Sequence, residues 1–187
     1  GVFLDKAKQG GGPLIDLGVH LIDICWYLMG KPKVKSVSGN TYRKLGNRSN
    51  VKYLEYYKAA DYDPSFNTVE DLANALIRFE NGASLIVDVS FTLHGKQNGV
   101  EVSLYGERGG IILEPELKII TEKYDTILEL APQMDHPAFD FNQGFASEIA
   151  WFVSAMAGEK ETLSPVEDGV ELMKMLTGIY ESARLGK

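Results

Sequence analysis

Between residues 72 and 130 the sequence offers six short strand patterns, and the gaps between them are too brief to hold a crossover helix. Parallel neighbours need a connection of about a dozen residues or more, so most of these strands should pair antiparallel. The segments are 72–79, 83–91, 100–105, 111–113, 117–121 and 126–130, separated by glycines, a proline and charged turns. Glu80-Asn81-Gly82 joins the first two, and Asn-Gly between strand patterns is a strong hairpin signal. Another alternating run, 34–42 (VKSVSGNTY), reads as a half-buried strand. Gly106-Glu107-Arg108-Gly109-Gly110 leads from one strand pattern into the next and reads as a turn.

Helical patterns lie on both sides of this strand-rich stretch. One runs from Pro13 to Met29, with Pro13 at the first helical position and Gly30 and Pro32 as the stop. A second, 145–157, carries apolar residues at Phe145, Ile149, Phe152 and Met156. The last opens on the capping-box pattern Ser164-Pro165-Val166-Glu167 and has its stripe at Val166, Val170, Met173, Leu176 and Tyr180. Helix, sheet, then helices means an α+β fold: a largely antiparallel, open-faced sheet of about six strands or more, helices on one face, the other available for oligomerisation. The stretch between Arg43 and Asp71 shows no period but holds Tyr53, Tyr56, Tyr57, Tyr62 and Phe66, which is unlike a bare linker.

Composition narrows the function classes. A formal net charge of −7 argues against a nucleic-acid partner, which needs a basic face. No stretch has the length and apolarity of a membrane span, and the first residues lack the basic start of a signal peptide. The lone Cys25 cannot form an intramolecular disulfide, so a cytoplasmic location is expected.

The first helix carries the chemistry. Leu14, Ile15, Leu17, Val19, Leu21, Ile22, Ile24, Trp26, Leu28 and Met29 place apolar groups around most of its circumference, the pattern of a buried helix. Yet Asp16, His20 and Asp23 fall at i, i+4 and i+7, on one narrow row. Charged groups on a buried helix are costly unless they are paired or face a cavity. Gly18 sits between two of them and costs about 1 kcal/mol relative to alanine, which suggests close packing against the backbone. Three readings stay open on the residues alone. The row lines a pocket; or Asp16 and His20 form a satisfied internal pair with Asp23 capping a neighbouring backbone; or the row begins a metal site, for which His94 and His136 show no supporting spacing. Gly10-Gly11-Gly12 does not fit the dinucleotide fingerprint, because Ile15 occupies the place of its third glycine, so it reads as a flexible lead-in to the helix.

The run from Gly10 to Asp23, GGGPLIDLGVHLID, resembles the GGGxxxDxGxHxxD signature of the Gfo/Idh/MocA oxidoreductases, the glucose–fructose oxidoreductase and inositol dehydrogenase family. Val69-Glu70-Asp71-Leu72 with the 77–83 stretch is similar to that family's central hairpin, and the 164–169 and 180–183 segments are similar to its closing helix. The resemblance covers nearly the whole chain and only the family's C-terminal domain, so residues 1–187 read as a single substrate-binding and oligomerisation domain. An N-terminal Rossmann domain, with its dinucleotide fingerprint and a Glu-Lys-Pro lysine, is not in this sequence.

The resemblance implies the substrate-binding and catalytic half of an NAD(P)-dependent oxidoreductase of sugars, cyclitols or related polyols, with NAD or NADP held mainly by the missing domain. His20 is then the proton acceptor, since imidazole has a suitable pKa. Asp16 holds the imidazole or bonds a substrate hydroxyl; Asp23, Gly18 and Gly12 support them, Gly18 by letting the cofactor or the Rossmann domain approach. His94, Tyr57 and Tyr62 are candidate sugar contacts. No metal and no cofactor residue is expected in this chain, and a homodimer or tetramer is expected to form through the sheet. A non-catalytic ligand-sensing or regulatory module of the same fold is the alternative, and a metal-dependent hydrolase is a third.

Overall fold

The computed structural model describes residues 2–48, 63–94, 99–114, 116–133 and 140–187. Their strands are antiparallel throughout and fall into two sheets, β1-β2-β3 and β4-β5-β6-β7, in place of one larger sheet. With the helices this is the α+β arrangement that the strand spacing demanded. The chain divides into two compact units, residues 1–98 with 170–187 and residues 99–169.

In the first unit, β1 (Val34–Tyr42), β2 (Leu72–Phe79) and β3 (Ser84–Ser90) form a meander with β2 at its centre. The Asn81-Gly82 turn closes the β2–β3 hairpin: Gly82 takes the left-handed φ of 90°, and the Phe79 N–H donates to the Ala83 carbonyl at 2.9 Å. Alternation buries Ala73, Ala75, Ile77 and Phe79 of β2 with Val87 and Val89 of β3 on one face. Leu76, Arg78, Ile86 and Asp88 occupy the other, which is open, with Ile86 81% exposed.

A short α1 (Lys6–Gln9) opens the unit, and two later helices cover the buried face. One is α2 (Val19–Leu28), through Ile22 and Trp26. It ends as expected, with Gly30 at φ 80° and the Lys31 N–H donating back to the Trp26 carbonyl at 2.9 Å. The other is α4 (Val166–Leu185). Its buried stripe is Leu172, Met175, Leu176 and Ile179, a correction to the expected 166/170/173/176/180 set: Val166, Val170 and Met173 are exposed. The helix is turned so that its small groups meet β1. A Cβ on Gly39 would come within 2.9 Å of both the Asn74 carbonyl and Ile179, and the Gly39 N–H donates to Ser182 Oγ at 2.8 Å.

The second unit holds β4 (Val102–Gly106), β5 (Gly109–Glu114), β6 (Lys118–Lys123), β7 (Thr126–Leu130) and α3 (Phe141–Met156). Glu107 and Arg108 form the expected turn between Gly106 and Gly109. Helix α3 starts earlier than its apolar periodicity suggested because Asp140 caps it, accepting from the Asn142 and Gln143 N–H groups. Its expected packing stripe, Phe145, Ile149, Phe152 and Met156, is exposed. Among the described residues of this unit, Val102 is the one buried apolar side chain. No helix among the described residues is long and apolar enough to cross a membrane.

Candidate active site

The residues leading into α2 form one continuous helical path with a widened first turn. Pro13 already has helical backbone angles, and Leu14–Gly18 form a π-helical turn that runs directly into α2. The Ile15 and Asp16 N–H groups both donate back to the Gly12 carbonyl, at 3.1 and 3.0 Å. Single π turns inside helices cluster at functional sites because the extra residue redirects side chains. Here the redirected turn contains Asp16.

Burial separates two faces of this path. Leu14, Gly18, Ile22, Cys25 and Trp26 are buried, and His20, two positions from both Gly18 and Ile22, stands on the opposite, exposed side. Asp16 and Asp23 are half-buried, and Asp23 is partnered. The expectation of a helix buried all round is corrected: Leu17, Tyr27 and Leu28 are exposed as well. The apolar letters outnumber the positions that the sheet can cover.

Asp16 accepts one long hydrogen bond, from Gln9 Nε2 at 3.4 Å, and among the described residues no hydrogen bond joins it to His20. The reading of Asp16 and His20 as a satisfied internal pair therefore fails. Both side chains keep hydrogen-bonding capacity for something outside the helix. Among the described residues, no group of three His, Cys, Asp or Glu side chains could hold a metal ion.

Gly18 serves a different neighbour from the one expected. A Cβ there would stand 3.2 Å from Leu14 Cδ1 and 3.3 Å from Val89 Cγ1, so its missing side chain beds the helix on β3. Within the glycine run, Gly11 and Gly12 are likewise packed, while Gly10 is exposed at a left-handed φ of 91°. A Cβ at Gly11 would fall on the Tyr180 hydroxyl, and one at Gly12 would run into the Glu70 carbonyl. The Gly12 and Leu14 N–H groups, which a phosphate cradle would need, both donate to Glu70 Oε1, at 2.9 and 3.3 Å. His94 is exposed beyond the end of β3, with no hydrogen bond to Asp16 or His20 among the described residues, while Tyr57 and Tyr62 lie outside those residues. Burial raises the Cys25 thiol pKa, which leaves it an inert core residue.

Sequence reading missed three residues. Glu70 and Tyr180 meet at 2.7 Å behind the glycine run. Asp71, also buried, accepts from the N–H groups of Lys44, Leu45 and Gly46, which fixes the chain leaving β1. The available signals were two adjacent carboxylates just before a core strand, and a tyrosine in a helix stripe whose hydroxyl needs a partner.

An antiparallel α+β domain that offers an aspartate–histidine row from a glycine-led helix is what the Gfo/Idh/MocA resemblance implied. The chain belongs to that family: the family model described as "Oxidoreductase family, C-terminal alpha/beta domain" matches residues 4–187. It is similar to the D-glucoside 3-dehydrogenase of Escherichia coli (strain K12), 32% identical over 187 residues, spanning 100% of this chain and 50% of that protein. The levoglucosan dehydrogenase of Pseudarthrobacter phenanthrenivorans is 27% identical over 114 residues, 59% of this chain and 29% of that protein. Among solved structures, an oxidoreductase domain protein from Kribbella flavida shares the fold at TM-score 0.79 and 22% identity, covering 99% of this chain and 51% of that one. Levoglucosan dehydrogenase in complex with NADH and levoglucosan does so at TM-score 0.77 and 21% identity, covering 100% and 52%. The chain spans about half the length of the curated relatives it matches across its whole extent.

Proposed function

We propose that the full-length protein is a nicotinamide-dependent oxidoreductase of a sugar, cyclitol or related polyol, and that this chain is its substrate-binding and catalytic half. One observation carries the reading: His20 stands on the exposed side of a helix whose other side is bedded on the sheet, and Asp16, half-buried one turn earlier, accepts only one long hydrogen bond among the described residues. The relatives' names, D-glucoside 3-dehydrogenase and levoglucosan dehydrogenase, support the substrate class. Structural neighbours in complex with NADH or NAD support the cofactor class.

The residues present do not fit the cofactor's phosphates at the glycine run, since the Gly12 and Leu14 N–H groups are committed to Glu70. We therefore assign dinucleotide binding to the other half of the protein. A nicotinamide cofactor would supply the acceptor for a hydride from the substrate carbon. His20 accepts the proton of the hydroxyl on that carbon, which needs an exposed imidazole reachable by a hydroxyl. Asp16, one turn earlier, hydrogen-bonds a neighbouring hydroxyl or orients the imidazole once substrate excludes water. Asp23 has a supporting role. On this reading the chain by itself neither binds a dinucleotide tightly nor turns over sugar.

Replacement His20→Ala in the full-length enzyme should depress kcat by roughly 10²–10⁴-fold with the dinucleotide Kd unchanged. A kcat equal to the parent enzyme's would remove His20 from the chemistry, and no turnover in the parent protein itself would leave the ligand-sensing reading of the fold.

A further inference from the structure

Glu70 and Tyr180 pack against Gly11 and Gly12 of the glycine run. We propose that this buried pair consists of positioning residues that set the register of the widened turn and thereby aim Asp16 and His20, an inference that rests on the oxidoreductase reading above. Glu70 Oε1 gathers three donors: the Gly12 N–H at 2.9 Å, the Leu14 N–H at 3.3 Å and the Tyr180 hydroxyl at 2.7 Å. From Gly12 the connection continues in one step, because the Gly12 carbonyl accepts the Asp16 N–H at 3.0 Å. Glu70 and the Asp16 backbone are thus linked through a single residue, Gly12, and its two hydrogen bonds.

That residue and its neighbour Gly11 have little room to shift. Gly11 packs on the Tyr180 hydroxyl and Gly12 on the Glu70 backbone, each at a distance that no side chain would permit. A buried carboxylate deprived of its donors is costly, so alternative placements of residues 11–14 are penalised. The negative charge at the start of a helical path also agrees with the backbone dipole. Burial and the adjacent Glu70 carboxylate hold the Tyr180 phenol above its ordinary pKa, so it remains a donor. Simple core stability would be met by an apolar pair; a fixed three-donor acceptor behind the reacting row sets geometry.

The test uses the full-length enzyme with dinucleotide and polyol, and measures kcat, both KM values and the dinucleotide Kd, per folded molecule. Glu70→Ala should lower kcat by about 10²-fold, the scale of an ångström's misplacement, with the dinucleotide Kd unchanged. Glu70→Gln keeps an acceptor oxygen in the same place and should recover most of that loss. Tyr180→Phe removes one donor and should cost about fivefold in kcat. His20→Ala runs beside them as the reference. If His20→Ala loses activity and Glu70→Ala and Tyr180→Phe both keep kcat within about twofold, the positioning role is overturned and the catalytic reading survives. If His20→Ala keeps full activity, the catalytic reading falls and this inference falls with it. Should Glu70→Ala not fold, Tyr180→Phe decides by the same criterion.

Discussion

Strands β2, of eight residues, and β7, of five, are both rich in apolar side chains, and they have opposite fates. In β2 every second side chain from Ala73 to Phe79 is buried, beneath residues of α2 and α4. In β7 none is buried, and Ile127 is 76% exposed. Both strands are fully paired in their ladders. Ladder pairing therefore does not bring burial, which depends on a cover supplied from far along the chain. The first unit gets its cover from α4, roughly a hundred residues beyond β2, whereas α3 in the second unit keeps its apolar stripe exposed.

The contrast sets three expectations. The largest is Phe79→Ala, which empties a site only 1% exposed and should lower the unfolding free energy of the chain by about 3–5 kcal/mol in a urea titration. A loss under about 1 kcal/mol would mean that the β1–β3 core is no better packed than the second sheet.

The next is a pH effect confined to the first unit. The Tyr180 phenol is held above its ordinary value by burial and by Glu70, so the folded state binds this proton more tightly than the unfolded chain does. Its contribution to stability is complete below about pH 10 and drains away as pH rises further. Tyr180→Phe should flatten the alkaline limb of the stability curve; an identical limb in both proteins would break the link between burial and titration. The Lys118–Glu129 pair of the second sheet, at 2.8 Å and open to solvent, has no comparable hold.

The smallest effect belongs to Ile127→Ala in the same 187-residue chain, which should change stability by less than about 0.5 kcal/mol. A cost approaching that of Phe79→Ala would show that β7 is covered after all.

Local chemistry made much of this legible. Alternation and the Asn-Gly turn placed β1 and β2 at their observed limits, a charged turn did so for β7, and Gly30 marked the end of α2. The motif placed Asp16 and His20 on a common helical path. What could not be read depended on distance in sequence. Glu70 meets the glycine run across 58 residues and Tyr180 across 110, and neither partner has a local pattern that names the other. The same reasoning explains why α4 was turned: its stripe is chosen by Gly39 and Ser182, not by its own periodicity. The division into two sheets was illegible too, since seven short strands fit one ladder or two equally well. Gly18 was correctly singled out and its neighbour misjudged, because a missing side chain announces crowding without saying by what.

The π turn at Leu14–Gly18 means that the imidazole's direction is governed by arithmetic as well as chemistry. A relative that preserved every letter of the motif but dropped one spacer residue would relax to an ordinary helix and swing all later side chains by about 100°. Its histidine would then be aimed elsewhere, and an intact-looking signature would belong to a protein unable to use it.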